Sequence, residues 1–394
     1  MINQKQNVPN LRFVGYTDEW ALNELQKVAT ISKGSGISKD QLSKNGTYCI
    51  LYGELYTKYN SEIISEVYSK TEVDAANLVK SKENDVIIPC SGETAIDIST
   101  ARCVPFNGIL LGGDLNIIRL KNQNGGFFAY QLNGKRKVDI AKVAQGVSVV
   151  HLYGEHLKRV KIAYPTYSEQ KKIADFLSLL DSRIATQNKI IEQLQSLIKG
   201  ICNKLLYADN GKLVKLGDIL IERKEKSIIN NQYEILSSTV KGVFSQRDYF
   251  SKDIASENNI GYKIIRLNDI VLSPQNLWMG NINFNNKYEI GIVSPSYKIF
   301  AIKEDFNKIY IANLLKTHRA LYNYMQVSEQ GASIVRRNLN LEAFEQLSFK
   351  IPDYQEQCRI ARILISTRQK IQLETSLLNK YEEQKKFLLS NMFI

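Results

Sequence analysis

The residues that could do chemistry in this 394-residue chain are few and poorly grouped. His151 and His156 stand in one Gly-containing stretch. Two imidazoles so placed could begin a metal site, yet no Cys lies near enough to complete a ligand set, so no metal is expected. Pro352-Asp353 with Glu383-x-Lys385 spells a nuclease-like set of carboxylates and lysine. Its two parts lie far apart on a long helical stretch, which makes a chance spelling the better reading. Gly34-Ser-Gly36 lacks the third Gly of a dinucleotide fingerprint and reads as a flexible loop. No GxxxxGK[ST] string occurs, so ATP-driven work on the usual pattern is not expected. The five Cys, at 49, 90, 103, 202 and 358, are scattered and never form CxxC. That suits a reducing cytoplasm and argues against a zinc ribbon or a disulfide framework.

An amino-methylating DNA enzyme would carry an Asp/Asn-Pro-Pro-aromatic motif, but none of the seven Pro is adjacent to another. Missing motifs shift the expectation from catalysis to binding. The chain has 52 Lys+Arg and 40 Asp+Glu, a formal charge of +12. Nucleic acid, an anionic membrane and an acidic protein are all possible partners, and solubility alone is the plain alternative. The excess falls as +4 on residues 1–165, +1 on 166–210, +5 on 211–351 and +2 on 352–394. There is no polybasic tail, no apolar run near the roughly 18 residues of a membrane span, and no apolar signal-peptide core at the start. A cytoplasmic protein with no membrane partner is expected. With 44% hydrophobic residues over this length, two or more domains are expected.

What must position any site is a duplication. Pro165, Tyr167, Glu169, Gln170, Ile173 and Ala174 recur in order as Pro352, Tyr354, Glu356, Gln357, Ile360 and Ala361. Upstream, Gln145-Gly matches Gln330-Gly, Asn84-Asp85 matches Asn268-Asp269, and Phe127-Phe-Ala-Tyr130 matches Tyr310-Ile-Ala-Asn313. Leu22–Leu25 lines up loosely with Val214–Asp218. Taken singly, these residues are helix openers and turn formers. Their shared order across both halves marks a repeat.

Each half ends in a helical segment. Ile173, Leu177, Leu180, Ile184, Ile191, Leu194, Ile198, Ile201 and Leu205 alternate spacings of four and three, with Gln187 filling the gap. That is the seam of a coiled-coil helix, a rod of roughly 57 Å. The second copy keeps Ile360, Leu364, Ile371, Leu378, Tyr381, Leu388 and Met392 in phase, interrupted by Thr367, Glu374 and Lys385. Neither seam is stable alone in water, so the two helices are expected to pair, antiparallel. Gln187 and Glu374 share one repeat position near the middle of each helix and are expected to set the register.

The remaining segments hold β-branched and aromatic runs such as Asp85–Pro89, Leu115–Leu120 and Lys263–Leu267, with a helix expected over Ile309–Met325. The fold class is therefore α+β: mixed, strand-rich domains over 1–164 and 211–351, alternating with helices over 165–210 and 352–394.

Two variable domains alternating with two similar helices resemble the specificity subunit of Type I restriction–modification systems. The most specific residues are Pro165-x-x-x-Glu169-Gln170-x-x-Ile173-Ala174 and its second copy, Pro352-x-x-x-Glu356-Gln357-x-x-Ile360-Ala361. The opening Val8-Pro9-Asn-Leu11-Arg12-Phe13-x-Gly15-Tyr16, followed by Trp20, also looks like this family. The resemblance implies two target recognition domains, each reading half of a split DNA site, with the coiled coil setting the spacer. It implies a chain without catalytic residues that docks two modification (adenine methyltransferase) subunits and, through them, restriction subunits. S-adenosylmethionine, ATP and Mg would belong to those partners, and no cofactor to this chain.

On that resemblance, double-stranded DNA would meet Lys33, Ser35, Lys39 and Lys44, then Ser91, Glu93 and Thr94 after a predicted strand. Lys135, Arg136 and Lys137 would contact phosphate. In the second domain Gln275, Asn276 and Trp278 follow the corresponding strand. Gln and Asn can pair bidentately with adenine, and Trp can stack or wedge. Gln246, Arg247, Arg336 and Arg337 complete the set, each also readable as an ordinary solvated loop residue. Two rivals stand beside this reading: a DNA-binding nuclease with an unrecognised site, and a coiled-coil protein adaptor.

Overall fold

The computed structural model describes residues 7–146, 149–206, 211–249, 258–330 and 337–394. The chain divides into two compact units, 1–189 with 375–394, and 190–374. Each unit therefore takes one half of each long helix.

The first unit contains β1 (Ala21–Glu24), β2 (Ala29–Lys33), β3 (Asp85–Pro89), β4 (Arg102–Val104), β5 (Leu115–Leu120) and β6 (Lys161–Tyr164). Strand β1 pairs antiparallel with β6, and a four-stranded antiparallel sheet runs β2-β5-β3-β4. Helix α1 (Gly125–Asn133) lies in this unit, as does the start of α2 (Tyr167–Leu205). The second unit repeats the plan with β7 (Lys212–Lys215), β8 (Leu220–Arg223), β9 (Ile270–Leu272), β10 (Ile282–Phe284), β11 (Lys298–Ile302) and β12 (Ser348–Ile351). There β7 pairs with β12, and the sheet runs β8-β11-β9-β10, again antiparallel throughout. Helices α3 (Lys308–Leu314) and α4 (Tyr354–Asn391) take the places of α1 and α2.

The duplicated residues have physical jobs in this plan. Asn84 and Asn268 are left-handed, at φ 76° and 69°, a conformation that Asn tolerates better than most residues. Asp85 and Asp269 follow, buried, each accepting a backbone N–H three residues upstream (Lys82, 2.8 Å; Arg266, 2.9 Å). Each also binds an arginine, but from different strands: Arg119 on β5 at 2.7 and 2.9 Å, and Arg223 on β8 at 2.9 Å. Gln170 donates to the Pro165 carbonyl at 2.8 Å and accepts from Asn124 N–H at 3.0 Å. Gln357 repeats this with Pro352 at 2.9 Å and Asn307 N–H at 2.9 Å. Asn124 and Asn307 in turn cap α1 and α3. The repeated Gln thus clamps each long helix to the capped end of its neighbour. The repeated Glu is not equivalent. Glu169 is buried in a two-bond pair with Arg12 at 2.7 and 2.8 Å, whereas Glu356 pairs locally with Arg359 on the surface. Leu25 and Leu216 are the matching buried residues after β1 and β7, each donating its N–H across the pair, to Val160 and Leu347 at 2.9 Å. That corrects the loose alignment of Leu22–Leu25 with Val214–Asp218 to Leu22 with Leu213.

The long helices pair, as their seams called for, and in each unit the pairing is antiparallel, as expected. In the first unit Ile173, Leu177 and Leu180 of α2 share a core with Leu388 and Met392 of α4. In the second, Ile201, Cys202 and Leu205 of α2 pack with Ile360 and Leu364 of α4. The start of one helix meets the end of the other in both units. The seam interruption at Lys385 proves to be a buried ion cluster. Its ammonium lies 2.6 Å from both Glu62 and Asp181, and Tyr130 donates to Asp181 at 2.7 Å. Asp181 and Arg368 hold the same repeat position, and so do Tyr130 and Asn313. In the second unit Arg368 donates to Asn313. The contact is duplicated with its chemistry exchanged. The helix expected over Ile309–Met325 is two helices, α3 and His318–Gln326, because Thr317 turns the chain and caps the second by accepting from Ala320 N–H.

Candidate nucleic-acid interface

Both units build the same loop pair beyond the central strand of the sheet. In the first, the chain leaves β3 through Cys90 and pairs Ser91–Gly92 antiparallel with Val150–His151. His151 exchanges both backbone hydrogen bonds with Gln145, at 2.7 and 2.9 Å. The Tyr56 hydroxyl donates to the Ser91 carbonyl at 3.2 Å, bracing the loop. In the second unit, the chain leaves β9 into Pro274–Met279. The Asn276 carbonyl accepts from Met279 N–H (3.1 Å) and Asn281 N–H (3.2 Å), and Gly280, at φ +91°, lets the chain turn back. Ser328–Gln330 pairs with Arg337–Leu339, and Arg337 N–H donates to the Gln275 carbonyl at 3.2 Å. Gln145 and Gln330, the leading residues of the repeated pairs, thus stand at similar places beside the two loops.

Gln275 is exposed, Asn276 and Trp278 are half-buried, and the Arg337 guanidinium lies 5.1 Å over the Trp278 ring. The structure therefore brings Gln275, Trp278 and Arg337 together. Arg337 also donates to the Met325 carbonyl at 3.4 Å, which fixes its direction. Arg336 lies outside the described residues. In the first unit Glu93 is exposed, while Thr94 caps the short helix Ala95–Ile98, accepting from Asp97 N–H at 3.1 Å. Ser35 is a loop brace that accepts from Val79 N–H at 2.7 Å. Lys33 and Lys44 are exposed. Lys39 lines a cleft of about 1000 Å³ together with Gln41, Leu51, Tyr52 and Lys58.

The Lys135-Arg136-Lys137 run divides. Lys135 is open to solvent, but Arg136 donates to the carbonyl of Ile394 at 3.1 Å and pairs with Asp139 at 3.3 Å. Lys137 is half-buried on Thr100, and burial, together with the charge of Arg102, holds its ammonium below the usual value. Gln246 is tied to the Ser237 hydroxyl at 2.9 Å, leaving Arg247 as the exposed member of that pair. Two features escaped sequence reasoning. One is the set of exposed tyrosines Tyr48, Tyr52 and Tyr56, whose four-residue spacing imitates a helix face although they fall on a strand, a turn and a short helix. The other is His151, stacked on exposed Tyr153 with centroids 6.1 Å apart.

No three His, Cys, Asp or Glu side chains converge as metal ligands among the described residues. His156 is held on the Val143 carbonyl at 3.0 Å. All five cysteines are free, and burial pushes Cys49 and Cys90 up to about 11 and Cys103 to about 12, the opposite of an activated thiol. No helix among the described residues is long and apolar enough to cross a membrane.

Two units of similar plan, each built around its own parts of the two long helices, define a duplicated scaffold. Residues 17–196 match the family model described as the Type I restriction modification DNA specificity domain. A specificity subunit of the Type I restriction enzyme MjaVIII from Methanocaldococcus jannaschii is 30% identical over 127 residues, 31% of this chain and 28% of that relative's length. The Type I restriction–modification S subunit from M. genitalium has the same fold, with a TM-score of 0.59 at 14% identity over 98% of this chain and 99% of that one. A second solved chain, from work on complex assembly and conformational transition of the Type I restriction–modification system, gives a TM-score of 0.55 at 13% identity over 95% and 97%. Residues 17–196 thus resemble the Type I restriction modification DNA specificity domain, and the chain shares the fold of the solved S subunits.

Proposed function

We propose that this chain is the DNA-reading, non-catalytic subunit of a Type I restriction–modification complex. The carrying observation is that both units set the loop after the same sheet strand beside a short antiparallel strand pair, with different side chains on each. Each unit reads one half of a split site in double-stranded DNA, and because the side chains differ, the site is asymmetric. The helix pair sets the spacer, with buried Gln187 and half-exposed Glu374 at the matching seam position holding its register. One chain with two like halves offers two like surfaces, which suits two modification subunits that methylate adenine. Restriction subunits would join through them. S-adenosylmethionine, ATP and Mg act on those partners.

The positive excess is +4 and +5 on the two globular segments, which is modest. Phosphate contacts then contribute a salt-dependent part of affinity, and tight binding requires the assembled complex. Gln275→Ala is expected to change which sequence is methylated, with loss of about tenfold in discrimination at one position. Arg337→Ala is expected to weaken the second half-site. Equal weakening on all sequences would make it a phosphate contact. No change in either assay removes these residues from the interface. Metal-dependent cleavage of DNA by the purified chain alone would favour the nuclease reading. Absence of salt-dependent DNA binding with modification subunits present would favour the adaptor.

A further inference from the structure

The repeated Gln-Gly pair reads in sequence as a turn. In the structure Gln145, His151 and Ser91 lie directly opposite one another on three adjacent antiparallel segments. Directly opposed residues project to the same face, with Cβ atoms about 5 Å apart. The row therefore presents a carboxamide, an imidazole and a hydroxyl side by side. Gln145 and His151 are exposed and Ser91 is half-exposed. Tyr153 stacks on the imidazole and limits its rotation.

In the second unit Arg337 likewise stands between a repeat Gln and the loop, although its N–H faces the loop whereas that of His151 faces Gln145. Gln330 pairs with Arg337, and Arg337 N–H donates to the Gln275 carbonyl. His151 on Tyr153 thus occupies the place of Arg337 on Trp278. Each centre is a nitrogen-rich side chain held against an aromatic ring, between a Gln and a residue of the loop that follows the central strand.

We propose that His151, flanked by Gln145 and Ser91, reads base edges in the first half-site, and that it is the counterpart of Arg337 in the second. This rests on the DNA-reading function proposed above. The row fits bases better than phosphates, because it contains no Lys or Arg and offers donors and acceptors at fixed spacing. Its centre differs between the units while the leading Gln is shared. The His-to-Arg change at the centre makes the halves unlike.

The test is the methylated motif produced in cells by the full complex of this chain with its modification subunits, for the unaltered chain, His151→Ala and His151→Gln. His151→Ala is expected to relax discrimination about tenfold at one position of the first half, leaving the second half unchanged. His151→Gln, which keeps hydrogen-bonding groups, is expected to shift the preferred base at that same position. Unchanged first-half preference in both variants would overturn the inference. So would a uniform fall in methylation with both halves' preferences intact, which would make His151 a phosphate contact or a structural residue. An unaltered chain that directs no split motif would instead overturn the proposed function itself.

Discussion

Lys385→Ala is expected to cost about 3–5 kcal/mol of unfolding free energy, read from urea or thermal unfolding of the full chain. The ammonium lies 2.6 Å from both Glu62 and Asp181, whose side chains are only 7% and 8% exposed. Truncation leaves two buried carboxylates facing each other without a cation, and that uncompensated charge, more than the lost attraction, drives the effect. Replacing all three together, as Glu62→Gln, Asp181→Asn and Lys385→Met, is expected to recover most of the loss, because a neutral cluster has no desolvated charge. A Lys385→Ala chain as stable as the unaltered one would show that the cluster is not closed in solution.

The same cluster has a pH signature. Burial alone would lower Lys385, but Glu62 and Asp181 outweigh it and hold the ammonium above its ordinary 10.5. A lysine raised in the folded state contributes its full stabilisation below the unfolded value and loses it as pH rises through the folded one. The unaltered chain should therefore lose stability above about pH 10.5 more steeply than Lys385→Met does. On the acid side the carboxylates oppose each other. Burial would raise Glu62, but Lys385 outweighs it and holds it below its ordinary value, whereas burial and the charge of Glu62 raise Asp181. The alkaline limb is therefore the cleaner readout.

Lengthening both long helices by one heptad at their matching midpoints is expected to lengthen the spacer of the target. Seven residues at 1.5 Å add about 10.5 Å, close to three base pairs at about 3.4 Å each. Both helices must change, because an antiparallel seam stays in register only if its two sides grow equally. The half-sites themselves should stay the same, since neither unit is altered. An unchanged spacer, measured by sequencing the methylated sites, would refute the ruler role of the coil.

Much of this architecture was legible in the residues. A seam of period three and four, twice, is a strong local signal, and its instability alone required a partner. The repeat of Pro, Gln and Ala was legible as order, though not as function. Only the structure shows Gln170 and Gln357 clamping the helix starts to Asn124 and Asn307. Long-range pairing was out of reach. Lys385 reads as a break in the seam because Glu62 is 323 residues away in sequence. Thr94, Ser35 and Gln246 are polar loop residues of the expected type, but each already satisfies a neighbour: a helix end, a backbone N–H and a serine hydroxyl. Residue type could not separate those from the open ones. In sequence His151 offers itself only as a metal ligand with His156, because its pairing with Ser91 crosses about sixty residues of chain. The break at Thr317 went unread because a cap inside an apolar run keeps the helical period on both sides.

The most direct test of the central claim is genome-wide mapping of methylated adenine in cells carrying this chain with its modification subunit, against cells lacking the chain. The account predicts one motif of two unlike specific halves separated by a fixed, unread spacer, methylated on both strands and absent without the chain. A continuous motif, a symmetric one, or a pattern indifferent to the chain would contradict it.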